Sequence, residues 1–384
     1  MPNSTLQSAR SAKNDEFYTQ YDDIQREMEA YLEYNPNVFR EKVVYCNCDD
    51  PFESNFFRYF VLNFKKLGLK QLITTSYKPS PVANTQLELF GDDKSLTKTK
   101  GRPKVTANKF IINEVHDIDG DGEFNLKDVA RQLRDNKHNE WTPLEEDGDF
   151  RKEECINLLT QSDIVVTNPP FSLFREYVTQ LVKYGKKFAI IGNLNAITYK
   201  EIFPLIKENK LWLGPTITSG DREFEVPKTV IDMDKFTGEI REGRYYQKVV
   251  GVRWYTTIDH GRRHQPLPLM TMDENLKYSK HKEIKGKKAY DKYDNYDAIE
   301  VPFTDSIPKE YIGLIGVPIS FLDKYNPDQF EIIGSFNNGI HGEEVGATKV
   351  EIEINGKVSL WNGPVICKKP LYKRIIIRHK RIKK

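Results

Sequence analysis

Apolar residues in "EFYTQYDDIQREMEAYLEY" recur at helical spacing and stop at Asn35-Pro36, which predicts a first helix. The next run, "KVVYCNCDDP", is rich in β-formers and ends in acids and a proline. "FFRYFVLNFKKLG" returns to helical spacing with Gly68 at its end, and "LKQLITTSY" reads as a strand again. Strand, helix and strand in that order predict a right-handed βαβ unit of a parallel sheet. Residues 78–108 are rich in proline, lysine and small polar residues and read as an excursion from the sheet. After it, "KFIINEV" has strand character, "LKDVARQLRDN" and "RKEECINLLTQS" have helical spacing, and "DIVVTN" and "KKFAIIGN" are short buried strands around the helix "FREYVTQLVKYG". The α/β alternation runs to about residue 213, and "KVVGVRWYTTI", residues 248–258, predicts one or two further strands of the same sheet. Beyond it the chain is basic, tyrosine-rich and irregular. The pattern therefore predicts an α/β protein with a mobile arm at 1–14, a core at 15–260 carrying an insertion at 78–147, and a smaller recognition lobe at 261–384.

Composition changes this picture little. The 384 residues include 58 basic and 56 acidic side chains, so affinity for a polyanion has to come from charge distribution. Four cysteines, Cys46, Cys48, Cys155 and Cys367, are too few and scattered for a disulfide framework, and the single C-x-C pair has no second pair to complete a zinc site. A reducing cytoplasm is expected. No window approaches the roughly 20 apolar residues of a membrane span, and the N-terminus has no apolar leader segment, so a soluble, unexported protein is expected.

The candidate chemistry lies in Asn168, Pro169, Pro170 and Phe171, directly after the apolar "DIVVT". Loops at the carboxyl ends of strands in an open α/β sheet are where ligands bind. The two prolines fix φ and keep the preceding residues extended, which presents the Asn168 side-chain oxygen and the Pro169 carbonyl as rigid neighbouring acceptors. Two acceptors on one face suit an exocyclic amine with two hydrogens. Accepting from both N–H groups stabilises the positive charge that develops as an aryl amine attacks a methyl donor, and no general base is needed for that step. Phe171 offers a flat apolar face on which a base can stack, worth about 1–3 kcal/mol. The same residues also suit a plain strand ending, with Ser172 or Asn168 capping the next helix.

"NPPF" after an apolar strand resembles the catalytic motif of amino-group DNA methyltransferases. The blocks "DEFYTQYDDI", "VVYCNCDDPFESNFFRYF", "GDFRKEECINLL", "SDIVVTNPPFSLFREY", "KKFAIIGNLNAITYKEIFPLIKENKLWLG", "KYDNYDAIEV" and "GVPISFLDKYNPDQFEIIG" resemble, in the same order from residue 15 to about 335, those of the EcoRI modification methylase family. The resemblance implies a Rossmann-like S-adenosylmethionine-dependent methyltransferase sheet flanked by helices, with a C-terminal target-recognition lobe. It also implies methylation of adenine N6 in double-stranded DNA. Asn168, Pro169, Pro170 and Phe171 would hold the target base. Phe17, Tyr18 and Thr19, then Asn47, Asp49 and Asp50, and Asp149 with Phe150 would contact the cofactor. A carboxylate can pair with its ammonium or ribose hydroxyls, and an aromatic ring can pack on its purine. The chain departs from the broader methyltransferase class in lacking a glycine-rich loop after the first strand and an acid at Ser76 after the second.

A fixed methyl donor cannot reach N6 of a stacked adenine, so the base has to be flipped out at a cost of a few kcal/mol. Phosphate contacts from the basic second half can offset this: Arg262, Arg263, Lys373, Arg374, Arg378, Lys380 and Arg381 are the candidates. A solubilising basic tail is the plain alternative. "DIDGDGEFNLKD", residues 117–128, has the spacing of a calcium loop, but its twelfth residue is Asp128 rather than glutamate and a strand-like run precedes it, so a helix-capping acidic turn is expected and no metal. "KGRPK", residues 100–104, matches minor-groove hooks but sits in the excursion and reads as linker. Two other functions stay open: methylation of a protein amide, which uses a similar loop with tyrosine in the fourth place, and DNA binding without turnover. A monomer with a possible companion restriction endonuclease is expected.

Overall fold

The computed structural model describes residues 19–48, 54–77, 107–118, 120–122, 124–135, 138–218, 222–226, 236–354 and 356–380. The chain divides into two compact units, the first formed by residues 1–196 and 214–259 and the second by residues 197–213 and 260–384.

In the first unit the apolar runs become the strands β1 (Val43–Cys46), β2 (Gln71–Thr75), β3 (Asn108–Ile112), β4 (Glu140–Pro143), β5 (Ile164–Thr167) and β6 (Lys187–Asn193). The sheet order is β4-β3-β2-β1-β5-β6, followed by the strand Val252–Thr256. The four strands β2, β1, β5 and β6 are mutually parallel, as the strand–helix–strand alternation predicts. β1 and β5 are buried along their whole length, which is why they read as continuous apolar runs instead of alternating ones. Their helices are α1 (Tyr21–Tyr34), α2 (Asn55–Leu62), α3 (Phe64–Leu67), α4 (Leu126–Asp135), α5 (Glu153–Gln161) and α6 (Phe174–Lys183). Ser54 Oγ accepts from Phe57 N at 3.2 Å to cap α2, and Gly68 ends α3 in the left-handed region at φ 63°.

The structure differs from the sequence reading in one place here. Residues 78–147, expected as an insertion, contribute β3 and β4 to the sheet, antiparallel to β2 and to each other. Phe110 and Ile112 alternate inward along β3, and Phe110 meets Phe57 and Trp141 edge to face at 5.5 and 5.8 Å, so the added edge shares the main core. Residues 248–258 give one further strand of the main sheet, Val252–Thr256, within the one or two expected, and it runs antiparallel to β6. The preceding strand Arg244–Val249 pairs instead with Arg222–Val226 and Glu239–Arg241 in a separate small sheet.

The second unit holds a four-stranded sheet in the order Ala298–Glu300, Leu314–Pro318, Arg374–His379, Phe330–Phe336. Its first pair is parallel and the others antiparallel. Arg374–His379 of the basic C-terminal run is thus a sheet strand with Ile375, Ile376 and Ile377 fully buried. No helix among the described residues is long and apolar enough to cross a membrane. The 117–128 loop is an acidic turn in which Asp117 accepts from Gly120 N and Gly122 N, and the buried Asp128 accepts from Ile118 N and Asn125 N. Asp119 lies outside the described residues, and no cluster that could hold a metal occurs among those described.

Candidate active site

Parallel order brings the carboxyl ends of β1, β2 and β5 to one edge of the sheet, and the segments that follow them meet there. A recess in the first unit is lined by Cys48 after β1, Tyr77 after β2, Gly148, Asp149 and Phe150 before α5, and Pro170 and Leu173 after β5. Three of the residues expected from sequence, Asp149, Phe150 and Pro170, are therefore neighbours. Cys48, Tyr77, Gly148 and Leu173 are additions that sequence reasoning did not single out. The available signal for Tyr77 was its place directly after a predicted strand, where an α/β sheet puts ligand contacts.

The Asn168–Phe171 tetrapeptide follows β5 with Asn168 and Pro169 buried and Pro170 and Phe171 half-buried. Pro170, not Pro169, supplies the carbonyl that closes the next turn, accepting from Leu173 N at 3.0 Å. That turn, Phe171–Leu173, is 3-10 and leads into α6. Phe171 packs against the main core, and Phe174 at the start of α6 is buried edge to face on Tyr255 at 5.0 Å. Gly192 on β6 permits this, because a Cβ there would lie 2.5 Å from Phe174 Cε2. The loop is held from below by packing, which fixes its backbone before any ligand arrives.

Asn47 stands one step behind the recess. Its carbonyl accepts from Thr167 Oγ1 and its side-chain oxygen from Tyr177 OH, so it ties the end of β1 to the end of β5 and to α6. Burial pushes the Tyr177 phenol well above its ordinary pKa, which keeps it a donor. Phe150 packs edge to face on the same Tyr177 ring at 4.9 Å, and its carbonyl accepts from Gln180 Nε2 at 2.8 Å. Burial alone would raise the Asp149 carboxyl, but hydrogen bonds and charge from Arg151 outweigh it and hold the pKa below the ordinary carboxylate value. Asp149 is thus ionised at neutral pH. Ser76, which stands where a ribose-binding acid is expected, is buried and structural: its Oγ accepts from Asn108 N at 2.8 Å, joining the end of β2 to β3. Thr19 is buried, and its carbonyl accepts from Asn55 Nδ2 at 2.8 Å. Phe17, Tyr18, Asp49, Asp50 and Arg381 lie outside the described residues.

An ionised acid, aromatic rings and an apolar wall of Pro170 and Leu173 set a hydrogen-bond acceptor beside ring and apolar surfaces. The acid can accept an N–H or hydroxyl, and the wall can take a ring.

Among the described residues, the basic candidates of the second unit differ in burial, and Arg263, Arg374, Lys373 and Arg378 have separate partners. Arg263 is buried, with its guanidinium 3.7 Å from the Trp212 ring centroid and its Nη2 donating to Asn209 Oδ1 at 2.6 Å. Arg374 makes a buried ion pair with Glu300 at 2.7 Å, which also accepts from Tyr293 OH. Lys373 Nζ donates to Thr198 Oγ1 at 2.9 Å, and burial lowers its pKa. Arg378 pairs with Glu331 at 2.7 Å on an exposed face, Lys380 is exposed, and Arg262 is half-buried.

The model of the family described as adenine-specific methyltransferase EcoRI matches residues 5–380. The chain is 40% identical over 385 residues to the type II methyltransferase M.EcoRI of Escherichia coli, covering 100% of this chain and 98% of that protein. It is 34% identical to the type II methyltransferase M.MpnI of Mycoplasma pneumoniae, with 97% of each chain covered. To M.MgeORF184P of Mycoplasma genitalium it is 33% identical over 97% of this chain and 98% of that one. No solved structure matches. The match of almost the whole chain, with the tetrapeptide and recess inside it, makes this protein a DNA methyltransferase of the EcoRI adenine-specific methyltransferase family.

Proposed function

We propose that the protein transfers a methyl group from S-adenosylmethionine to N6 of an adenine flipped out of double-stranded DNA. The observation that carries this is the Asn168–Phe171 loop at the carboxyl end of β5, bordering through Pro170 the recess that contains Asp149 and Phe150. When bound, S-adenosylmethionine supplies an electrophilic methyl group. Asp149, Phe150, Tyr77, Cys48 and Leu173 would hold it, with Thr19, Asn47 and the segment around Asp49 and Asp50 as further candidates.

The chain's own part in the reaction is to hold the amine. Asn168 Oδ1 and the Pro169 carbonyl accept from the two N–H groups, so the nitrogen lone pair is directed away from them and the developing positive charge is stabilised. Phe171 stacks on the base. The proton of the alkylated nitrogen is lost to solvent, since the product amine cation is strongly acidic. Flipping costs a few kcal/mol, which phosphate contacts have to offset. Arg262, Arg378 and Lys380 stand for that role; Arg263 and Arg374 serve the fold of their unit.

The type II names of the relatives support a place in a restriction-modification system; a companion endonuclease, a cytoplasmic location and a monomeric enzyme complete this reading. The test is to express the wild type and Asn168→Ala in a host stripped of its DNA methylases and to sequence the genome for N6-methyladenine. One modified motif with wild type and none with the variant is expected. An unmodified genome in both cultures, with soluble protein confirmed, overturns the proposal.

A further inference from the structure

Arg151 holds the recess acid from three directions. Its backbone N–H and its Nε donate to Asp149 Oδ1, each at 2.9 Å, and its Nη2 donates to Oδ2 at 2.6 Å. A carboxylate offers about four lone-pair positions, so these bonds occupy most of them and leave Asp149 suited to one ligand donor rather than to a bidentate pair. The other terminal nitrogen, Nη1, donates to Glu176 Oε2 at 3.1 Å. The guanidinium carbon also lies 5.4 Å from the Phe150 ring centroid.

Glu176 is in the first turn of α6, whose first residue, Phe174, directly follows the Phe171–Leu173 turn. One planar cation therefore touches an acid and an aromatic of the recess at one end and the helix behind the catalytic loop at the other. A guanidinium is a rigid fork: turning it to follow a shift of Asp149 also turns the nitrogen that meets Glu176.

We propose that Arg151 is a positioning residue that couples occupancy of the recess to the placement of the Asn168–Phe171 loop. This rests on reading the recess as the methyl-donor site. The Arg151–Glu176 pair is half-exposed, so its effect on turnover is about two- to fivefold, not orders of magnitude.

The test separates binding from turnover. S-adenosylhomocysteine binding is measured by calorimetry without DNA, and methyl transfer from saturating S-adenosylmethionine is measured on genomic DNA from a methylase-free host. Glu176→Gln is expected to bind within about twofold of wild type while its kcat falls about two- to fivefold. Arg151→Met is expected to weaken binding about tenfold or more as well. Arg151→Lys is expected to recover part of the binding and none of the kcat, because one ammonium cannot serve both Asp149 oxygens and Glu176 together. Wild-type kcat in Glu176→Gln, or wild-type binding in Arg151→Met, overturns the proposal. Failure of the wild type itself to bind S-adenosylhomocysteine or to modify DNA would overturn the reading of the recess instead.

Discussion

Gly148 is the position where a single methyl group should do most damage to the recess. Its φ is 79°, in the left-handed region, and a Cβ there would lie 2.0 Å from the Ser76 carbonyl oxygen. Alanine in that region costs about 1–2 kcal/mol. The overlap adds about 1–3 kcal/mol, because backbone rather than a flexible side chain has to yield. Ser76 cannot easily yield: its N–H donates to Asn108 O at 2.9 Å and its Oγ accepts from Asn108 N. Gly148→Ala should therefore lose about 2–5 kcal/mol of stability. Two other glycines separate the contributions. Gly185 has φ 63° with nothing within 4 Å, so Gly185→Ala carries only the conformational cost, about 1–2 kcal/mol. Gly192 has no left-handed φ but would press on Phe174, so Gly192→Ala carries only the overlap, about 1–3 kcal/mol. Urea unfolding of the three variants gives the stabilities, and S-adenosylhomocysteine calorimetry gives the function. Displacing the Gly148–Phe150 segment by about 1 Å should cost Gly148→Ala tenfold or more in affinity, whereas Gly185→Ala should bind as wild type. If Gly148→Ala is no less stable than Gly185→Ala and binds equally well, the close approach does not shape the recess.

Arg374→Ala should destabilise the protein by about 3–5 kcal/mol by leaving Glu300 buried without its cation, while the salt dependence of DNA binding stays unchanged; a reduced salt slope would make Arg374 a phosphate contact after all. Tyr177→Phe should cost about 1–3 kcal/mol in urea unfolding, since the Asn47 side-chain oxygen loses its phenol donor, and an unchanged midpoint would refute that bond. The Asp149 pKa is lowered in the folded protein, so its contribution is complete above the ordinary carboxylate value and is lost as pH falls through the folded value. Arg151→Met should shift the acid limit of S-adenosylhomocysteine binding to higher pH, and a fixed limit would detach Arg151 from that acid. Burial pushes the Cys155 thiol up to about 11, so its stabilising effect is present below the ordinary thiol value and lost as pH rises through about 11. A thiol reagent at pH 8 should label exposed Cys367 in the native protein and Cys155 only after unfolding, and the reverse order would contradict the burial.

What the sequence by itself determined is local. The apolar runs of β1, β2, β5 and β6, the helical spacing between them, the glycine that ends α3 and the Asn168–Phe171 loop were all legible. Each depends on periodicity or on the conformational limits of proline and glycine within a few residues. Tertiary structure decided what depends on partners distant in the chain. β3 and β4 look like parts of an insertion until Leu72 pairs with Ile112 and Phe110 with Trp141, an edge pairing that no local pattern encodes. The place of Gly148 against Ser76, and of Tyr77 beside Asp149, follows from the antiparallel edge of β2, β3 and β4 bringing together segments some seventy residues apart. The basic C-terminal run shows the same limit from the other side. Its charges are visible in sequence, but only the fold sets Arg374 against Glu300 and buries Ile375–Ile377 in the sheet, because a charge declares its sign locally and its partner only in three dimensions.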